Sequence, residues 1–594
     1  ETTDANGNKT TYEYNSLGQA EKQTTANKIT AYTYDNKGNI LTATDPEGNT
    51  VARTYDGNSL VTSETDAKGN TTFYSYNGNM KTLYVTFCDG TYIFYDYDGE
   101  DRVISVRDQN GNVAYTDYDK AGRVVRQSDA EKNTTEYTYD NVGNVLKTVD
   151  ADGGVTKYTY DKNGNALTVT DTLGNTTANT YDRFNRLLTT TNAVGGVTSY
   201  TYTVSGNLLK VTDPIGNITE YTYDVFGNKL TEKDPNGNVT AYTYDKNNNL
   251  LTVSDALGNV TNNTYDEKNR LTATKNPDSS TITYSYDATD RLLCVTDALG
   301  NTVTYTYDPN GNVLTVTDAK GNIQITNVYD SFNRVTSTTI ASGSVTANTY
   351  DSNGNLLTVT DTLENTQSYV YDSLNRAVAV TDKSGNKTSV DYNSKGNILS
   401  VSLDGAYTNY TYDTNGNMLT ETTSSGGLVE YTYNTLNLKQ EQTNAREQTR
   451  TYSYDKAGRI TGYTSIEGTA SFTYDANVNI ITATDQNGTV TRTFDELNRV
   501  KTYTDTLGNT IAYEYDSMGR ITKLIYPDNT SVTYVYDLNG NLKKVTDWAG
   551  RATTYTYDEN NNVTAVTKPD GSVTETRYDE AQRVVYTAET ENNV

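Results

Sequence analysis

Between Asn301 and Asn322 the chain reads NTVTYTYDPNGNVLTVTDAKGN, and apolar and polar residues alternate with a period of two. Val303, Tyr305 and Tyr307 fall on one side and Thr302, Thr304 and Thr306 on the other, which is the signature of a β-strand. Val313 to Thr317 is equally rich in β-branched residues and predicts a second strand. Two turn signals punctuate the pattern, Asp308-Pro-Asn-Gly-Asn312 and Asp318-Ala-Lys-Gly-Asn322. Asp at the head of each accepts hydrogen bonds from backbone two residues on, Pro309 presets φ, and Gly311 supplies the positive φ where the strand re-enters. The pattern predicts a hairpin closed by a type I turn with a glycine bulge.

The same phase runs the length of the chain. About 28 Tyr-Asp marks, from Tyr14 to Tyr578, recur every 20 to 22 residues. Drifted marks keep the spacing: Asn follows Tyr76, Tyr392 and Tyr433, Thr follows Tyr202, and Phe494 replaces Tyr. Residues 1–594 therefore read as one array of hairpin repeats of about 21 residues, all-β, with roughly 56 strands in one antiparallel ribbon. At ~4.8 Å per strand such a ribbon runs ~270 Å, and the twist between strands obliges it to coil, close or fold back. Tyr307, Asp308, Gly311, Asn312, Asp318, Gly321 and Asn322 typify the structural positions. Glu1 to Asn8 already reads as a second turn, and Val594 stops where another Gly-Asn is due, so both ends fall inside a repeat and further chain is expected on either side.

Composition changes this picture little. A hydrophobic content of 34% and a net charge of −27 lean toward disorder, but 53 tyrosines held at fixed phase oppose that reading. The acidic surplus, with no basic stripe, argues against nucleic-acid binding. No run approaches the ~18 apolar residues of a membrane helix, and Glu1-Thr2-Thr3-Asp4 does not begin a signal peptide. Cys88 and Cys294 form neither a disulfide framework nor a zinc spacing.

Candidate chemistry is sparse. Histidine is absent, which removes Ser-His-Asp and Cys-His catalysis and histidine-bearing metal sites together. Some of the 75 acidic residues must pair at glycosidase distances by chance, but most are turn aspartates explained by backbone hydrogen bonding. Their spacing fits no EF-hand or nine-residue calcium repeat, so no catalytic, cofactor or metal residue is assigned. Asn-x-Thr triplets such as Asn175-Thr176-Thr177 arise where a turn meets a strand. Residues 73–107 form an irregular, aromatic-rich stretch in which Tyr92, Phe94 and Tyr95 are candidates for a binding patch, against the plainer reading of packing. Trp548, the single tryptophan, poses the same choice. Pro277-Asp278, Pro527-Asp528 and Pro569-Asp570 read as alternative tight turns.

The unit Tyr-Asp-x-x-Gly-Asn-Leu-x-x-Val-Thr-Asp-x-x-Gly-Asn-x-Thr-x-Tyr resembles the YD repeat of Rhs proteins, wall-associated proteins, toxin-complex components and teneurins, over essentially the whole chain. The resemblance implies a ribbon wound into a hollow spiral shell of a bacterial secreted or cell-surface protein. It also implies a non-enzymatic role, enclosing or presenting a C-terminal effector next to the chain's own flanking segments. The alternative it leaves open is an adhesive or carbohydrate-binding module that contacts a cell-surface glycan or protein. The Asp-Pro-rich core that precedes self-cleavage in toxin members has no counterpart: Asp213-Pro214 and Asp234-Pro235 sit in ordinary repeat turns. Cleavage and toxicity are therefore not carried over.

Overall fold

The computed structural model describes residues 1–590. Among these the chain contains 57 strands and no helix, and every strand pairs antiparallel with the next in sequence within a single sheet. The expectation about the C-terminal end falls at Val594, outside the described residues.

The reference hairpin shows why the ribbon forms. Thr302–Tyr307 and Val313–Thr317 pair with Tyr305 opposite Val316 and Thr306 opposite Thr315, and the register shifts at Tyr307. That shift is the bulge the turn requires. Asp308 N–H donates to Asn312 O at 2.9 Å, Gly311 N–H donates to Asp308 O at 3.0 Å, and Gly311 has φ of 90°. Elsewhere the same left-handed position is filled by residues such as Asn185 and Asn333, with φ of 63° and 62°, because Asn tolerates that conformation better than most.

The Pro-Asp sites keep this frame and are not a separate turn type. Asn276 N–H donates to Ser280 O at 2.8 Å and Ser279 takes φ of 68°. The reason is that Pro277 already has the φ that the first central position of a type I turn needs. Within 73–107 the strands Thr71–Tyr76, Thr82–Thr86, Tyr92–Tyr97 and Val103–Arg107 succeed one another in the common pattern, and Phe87 takes the place of the turn aspartate.

The alternation creates two faces. Tyr305, Tyr307 and Val316 lie on one, here the tyrosine face; Thr304, Thr306, Thr315 and Thr317 lie on the other, the threonine face. Cross-strand hydroxyl pairs run along the threonine face, for example Thr306 with Thr315 at 2.6 Å and Thr296 with Thr302 at 2.8 Å.

The ribbon coils, and its pitch is visible in contacts between turns about 242 residues apart. Asn247 reaches Asp4, Asn310 reaches Asp66 and Asn560 reaches Asp318. Each such step advances 23 turns along the strand order. Twenty-three strands at ~4.8 Å give a circumference of ~110 Å and a diameter of ~35 Å. Facing sheets in a packed core sit only ~10 Å apart, so opposite walls of a coil do not fill the space between them. Burial agrees: among the described residues Ala379 and Val532 are the buried hydrophobic residues, and no large side chain is fully buried. The accessible surface is 32424 Å², against about 21,000 Å² for a compact protein of this mass. Water reaches both faces of the wall.

Candidate functional site

What this architecture offers is a wall with turns, a seam and two chemically different faces. The turns come first. Asp308 is 6% exposed, yet its carboxylate is fully engaged: Oδ1 accepts from the N–H groups of Asn310 and Asn312 at 3.0 and 2.9 Å, and Oδ2 accepts from Asn312 Nδ2 at 2.9 Å. Burial works against its charge, but the Asn312 hydrogen bonds and the Lys68 ammonium outweigh it and hold the carboxyl below the usual range. The abundance of aspartate is thus a matter of turn closure, and no group of His, Cys, Asp or Glu among the described residues is arranged to hold a metal.

Tyr307 has a role that a purely apolar row does not reveal. Its hydroxyl reaches back over the preceding strand and donates to Leu292 O at 2.6 Å, and burial pushes that hydroxyl's pKa up. The same bond over about fifteen residues recurs at Tyr55, Tyr181, Tyr350 and Tyr536. Where Arg closes the turn in place of Asn, a second device appears. Arg291 Nε donates to Asp287 at 2.5 Å, its Nη1 donates to Asp308 O at 3.0 Å, and its guanidinium lies 4.7 Å from the centre of the Tyr307 ring. One Arg so ties two successive repeats together.

The seam uses the same turns from the outside. The Tyr-Asp turns of one coil sit on the second turns of the coil before it. In three places Asn donates in both directions: Asn353 Nδ2 donates to Asp108 at 2.7 Å while Asn110 Nδ2 donates to Asp351 at 2.9 Å. Asn6 with Asp245 and Asn247 with Asp4, then Asn236 with Asp475 and Asn477 with Asp234, repeat the clasp. Ion pairs join in, Lys68 with Asp308 at 3.2 Å, Lys395 with Asp150 at 2.7 Å and Arg520 with Asp278 at 3.0 Å, as does the ring pair Phe87–Phe332 at 5.8 Å. The third turn residue carries this function, and the repeat pattern by itself does not single it out. The one trace is the recurrence of Asn there, at 247, 310, 353, 415, 477, 539 and 560.

The aromatic candidates separate in space. Tyr92 and Phe94 gather on the threonine face around Tyr84, with ring centres 5.4 and 4.9 Å from it. Phe73 and Tyr115, 55% and 54% exposed, extend this patch along the same face. Tyr95 alternates to the tyrosine face and is not part of it. Trp548 is remote, 60% exposed in the turn after Leu542–Thr546, and meets Tyr526 edge-on at 6.1 Å.

Comparison with known proteins agrees with this geometry. The Teneurin YD-shell profile matches residues 112–279 and 264–373, and the RHS Repeat profile matches 494–531, 536–573 and 557–593. A search of curated proteins returns no match. Among solved structures, TcdB2-TccC3 is similar over 97% of this chain and 42% of its own, at 13% identity and a TM-score of 0.63. TcdB2-TccC3 without its hypervariable C-terminal region is similar over 98% and 44%, at 13% identity and a TM-score of 0.64. At such identities the likeness is one of fold, and the chain spans less than half the length of these structures.

Proposed function

We propose that this chain, whose repeats belong to the YD/RHS family, is the wall of a structural shell that encloses or presents another polypeptide segment. The observation that carries the reading is the coil of 23 strands sealed edge to edge, with an accessible surface about half as large again as a compact fold has. A ribbon of this kind stabilises itself through its own ladder and leaves its two faces free. One of the similar structures is TcdB2-TccC3 without its hypervariable C-terminal region, and a segment of that kind is the guest we assign to the interior. Placement outside the cell, on a bacterial surface or secreted, belongs to the same proposal.

Limited proteolysis of the full parent protein tests it. Segments flanking the shell are expected to resist protease while the turns are intact and to become susceptible once the coils are separated. Cleavage of those segments at the rate of the free peptides would overturn the container reading. A second reading, an adhesive surface, is favoured by one observation, the aromatic patch of Phe73, Tyr84, Tyr92, Phe94 and Tyr115 on the threonine face.

A further inference from the structure

Ten Asn-Gly pairs occur in the chain, and the structure sets one of them apart. In eight, among them Asn6-Gly7, Asn163-Gly164 and Asn310-Gly311, the asparagine is the third turn residue. The glycine N–H there donates to the carbonyl at the head of the turn, at 2.9 to 3.2 Å. The asparagine Nδ2 is bound as well, donating to a carboxylate or, at Asn163, to the Asn185 amide oxygen. In the ninth, Gly488 begins the strand Gly488–Phe494 opposite Asp485, and Asn487 Nδ2 donates to Asp485 at 3.3 Å. Asn77-Gly78 has neither restraint: among the described residues, no acceptor is bonded to Gly78 N–H or to Asn77 Nδ2.

Asn77 stands instead at the head of its turn, where its Oδ1 accepts from the N–H groups of Asn79 and Lys81 at 2.9 and 3.0 Å. Two donors on one carbonyl oxygen polarise Cγ, and they are in place for the negative charge that oxygen takes when a nucleophile adds to the carbon. The next nucleophile along the chain is the nitrogen of Gly78, an exposed residue with no side chain to hinder it. The fold does not need glycine there. Gly78 does not have a positive φ, and a Cβ added to it would meet nothing within 4 Å. Pro309 and Ser352 fill the same place in other turns. The six other asparagine-headed turns among the described residues continue with Ser, Ala, Thr or Pro. The turns on either side in the same row, Asp56-Gly57 and Asp98-Gly99, carry the same glycine behind an aspartate.

We propose that Asn77 is a site of spontaneous deamidation, which gives this turn the aspartate its neighbours already have. Gly78 N loses its proton to hydroxide and forms a bond to Asn77 Cγ. The adduct, its oxyanion held by the Asn79 and Lys81 N–H groups, collapses by breaking the Cγ–Nδ2 bond, and ammonia leaves with a proton taken from water. Water then opens the cyclic imide. Attack at Cγ restores the main-chain peptide and leaves an aspartate side chain; attack at the main-chain carbonyl leaves isoaspartate, with one extra methylene in the backbone. In the first product the carboxylate stands four residues before Lys81, the spacing at which Asp98 pairs with Arg102 at 2.5 Å and Asp119 with Arg123 at 2.6 Å. The second product lengthens the connection between Thr71–Tyr76 and Thr82–Thr86, the strands that carry Phe73 and Tyr84 of the aromatic patch. None of this depends on what the shell encloses.

The test is a time course of the folded 594-residue chain in mildly alkaline water enriched in heavy oxygen, read by peptide mass spectrometry with fragmentation that separates aspartate from isoaspartate. Asn77 should take up the label at least ~10-fold faster than Asn310, whose glycine N–H and side-chain amide are both bonded. It should also outpace Asn393 and Asn434, turn heads with the same two donors on Oδ1 but followed by Ser394 and Thr435. Gly78→Ala, which the turn has room for, should remove that lead. In urea the ten Asn-Gly pairs should react at similar rates, because the turn bonds that separate them are gone. Equal labelling of Asn77 and Asn310 in the folded chain would sink the proposal, and so would a lead of Asn77 that persists in urea or in the Gly78→Ala variant.

Discussion

Within the ribbon, strands such as Thr302–Tyr307 and Val313–Thr317 are joined by backbone hydrogen bonds that any sequence of suitable turns and β-branched residues can make. Between coils no strands pair among the described residues; Asn353 and Asp108, Lys68 and Asp308 and their like meet through side chains, joined by single backbone groups such as the Asn110 N–H that donates to Asn353 Oδ1. The two kinds of contact share the same aspartates. The ladder's backbone bonds are continuous and carry no charge, whereas the seam is a series of separate charge-assisted bonds. Shape therefore depends on the weaker of the two, and a change that leaves the strands intact can still open the wall.

The largest expected effect comes from a residue that serves both. Asp308→Ala removes a buried carboxylate that closes its own turn and receives Lys68 from the neighbouring coil. Hydrogen bonds to charged groups contribute about 1.5–3 kcal/mol each, and leaving their donors unpaired costs more, so a loss of about 3 kcal/mol is expected. Hydrogen exchange of the Asn310, Gly311 and Asn312 amides reads it directly. Asp382→Ala removes a turn aspartate that binds Asn386 and no other coil, and its effect on the matching amides should be smaller. Equal effects would mean that the seam adds nothing.

Acid separates the two contacts more cleanly. For Asp66, Asp171, Asp278, Asp351 and Asp558 burial opposes ionisation, but hydrogen bonds within the turn and from the neighbouring coil outweigh it and lower the carboxyl pKa. Folded values below the unfolded value of about 3.9 mean that this stabilisation is complete above it. It is lost as pH falls through the folded values. Below pH ~4, small-angle scattering should report an expanded particle while circular dichroism still reports strand. Simultaneous loss of both signals would tie ladder and seam into one cooperative unit.

How much of this could be read in the chain follows from the same contrast. Tyr307, Asp308, Gly311 and Asn312 are legible because a turn is local: each residue answers to a partner two to four positions away. The coiled, antiparallel ribbon follows from repetition and twist. The seam does not, because Asn310 and Asp66 are 244 residues apart and no single repeat records how many strands complete a coil. That number is set by a bend of about 16° per strand accumulated over 23 strands, a sum of small effects that no motif reports. The candidate patch was partly legible for a similar reason. Alternation puts Tyr92 and Phe94 on one face, and it equally puts Tyr95 on the other, so the three are not one site.

The smallest effect isolates the ladder. Tyr307→Phe keeps the ring, its packing and the cation–π contact with Arg291, and deletes only the hydroxyl that donates to Leu292 O. A single neutral hydrogen bond contributes about 1 kcal/mol net, so exchange of amides in the two joined strands should rise about fivefold. The seam contact of Lys68 with Asp308 lies on the far side of the turn and should be unaffected, which the acid expansion of the variant would show by starting at the same pH as the parent. If that onset moved instead, the hydroxyl would be acting on coil-to-coil geometry, and the division between ladder and seam would have to be drawn elsewhere.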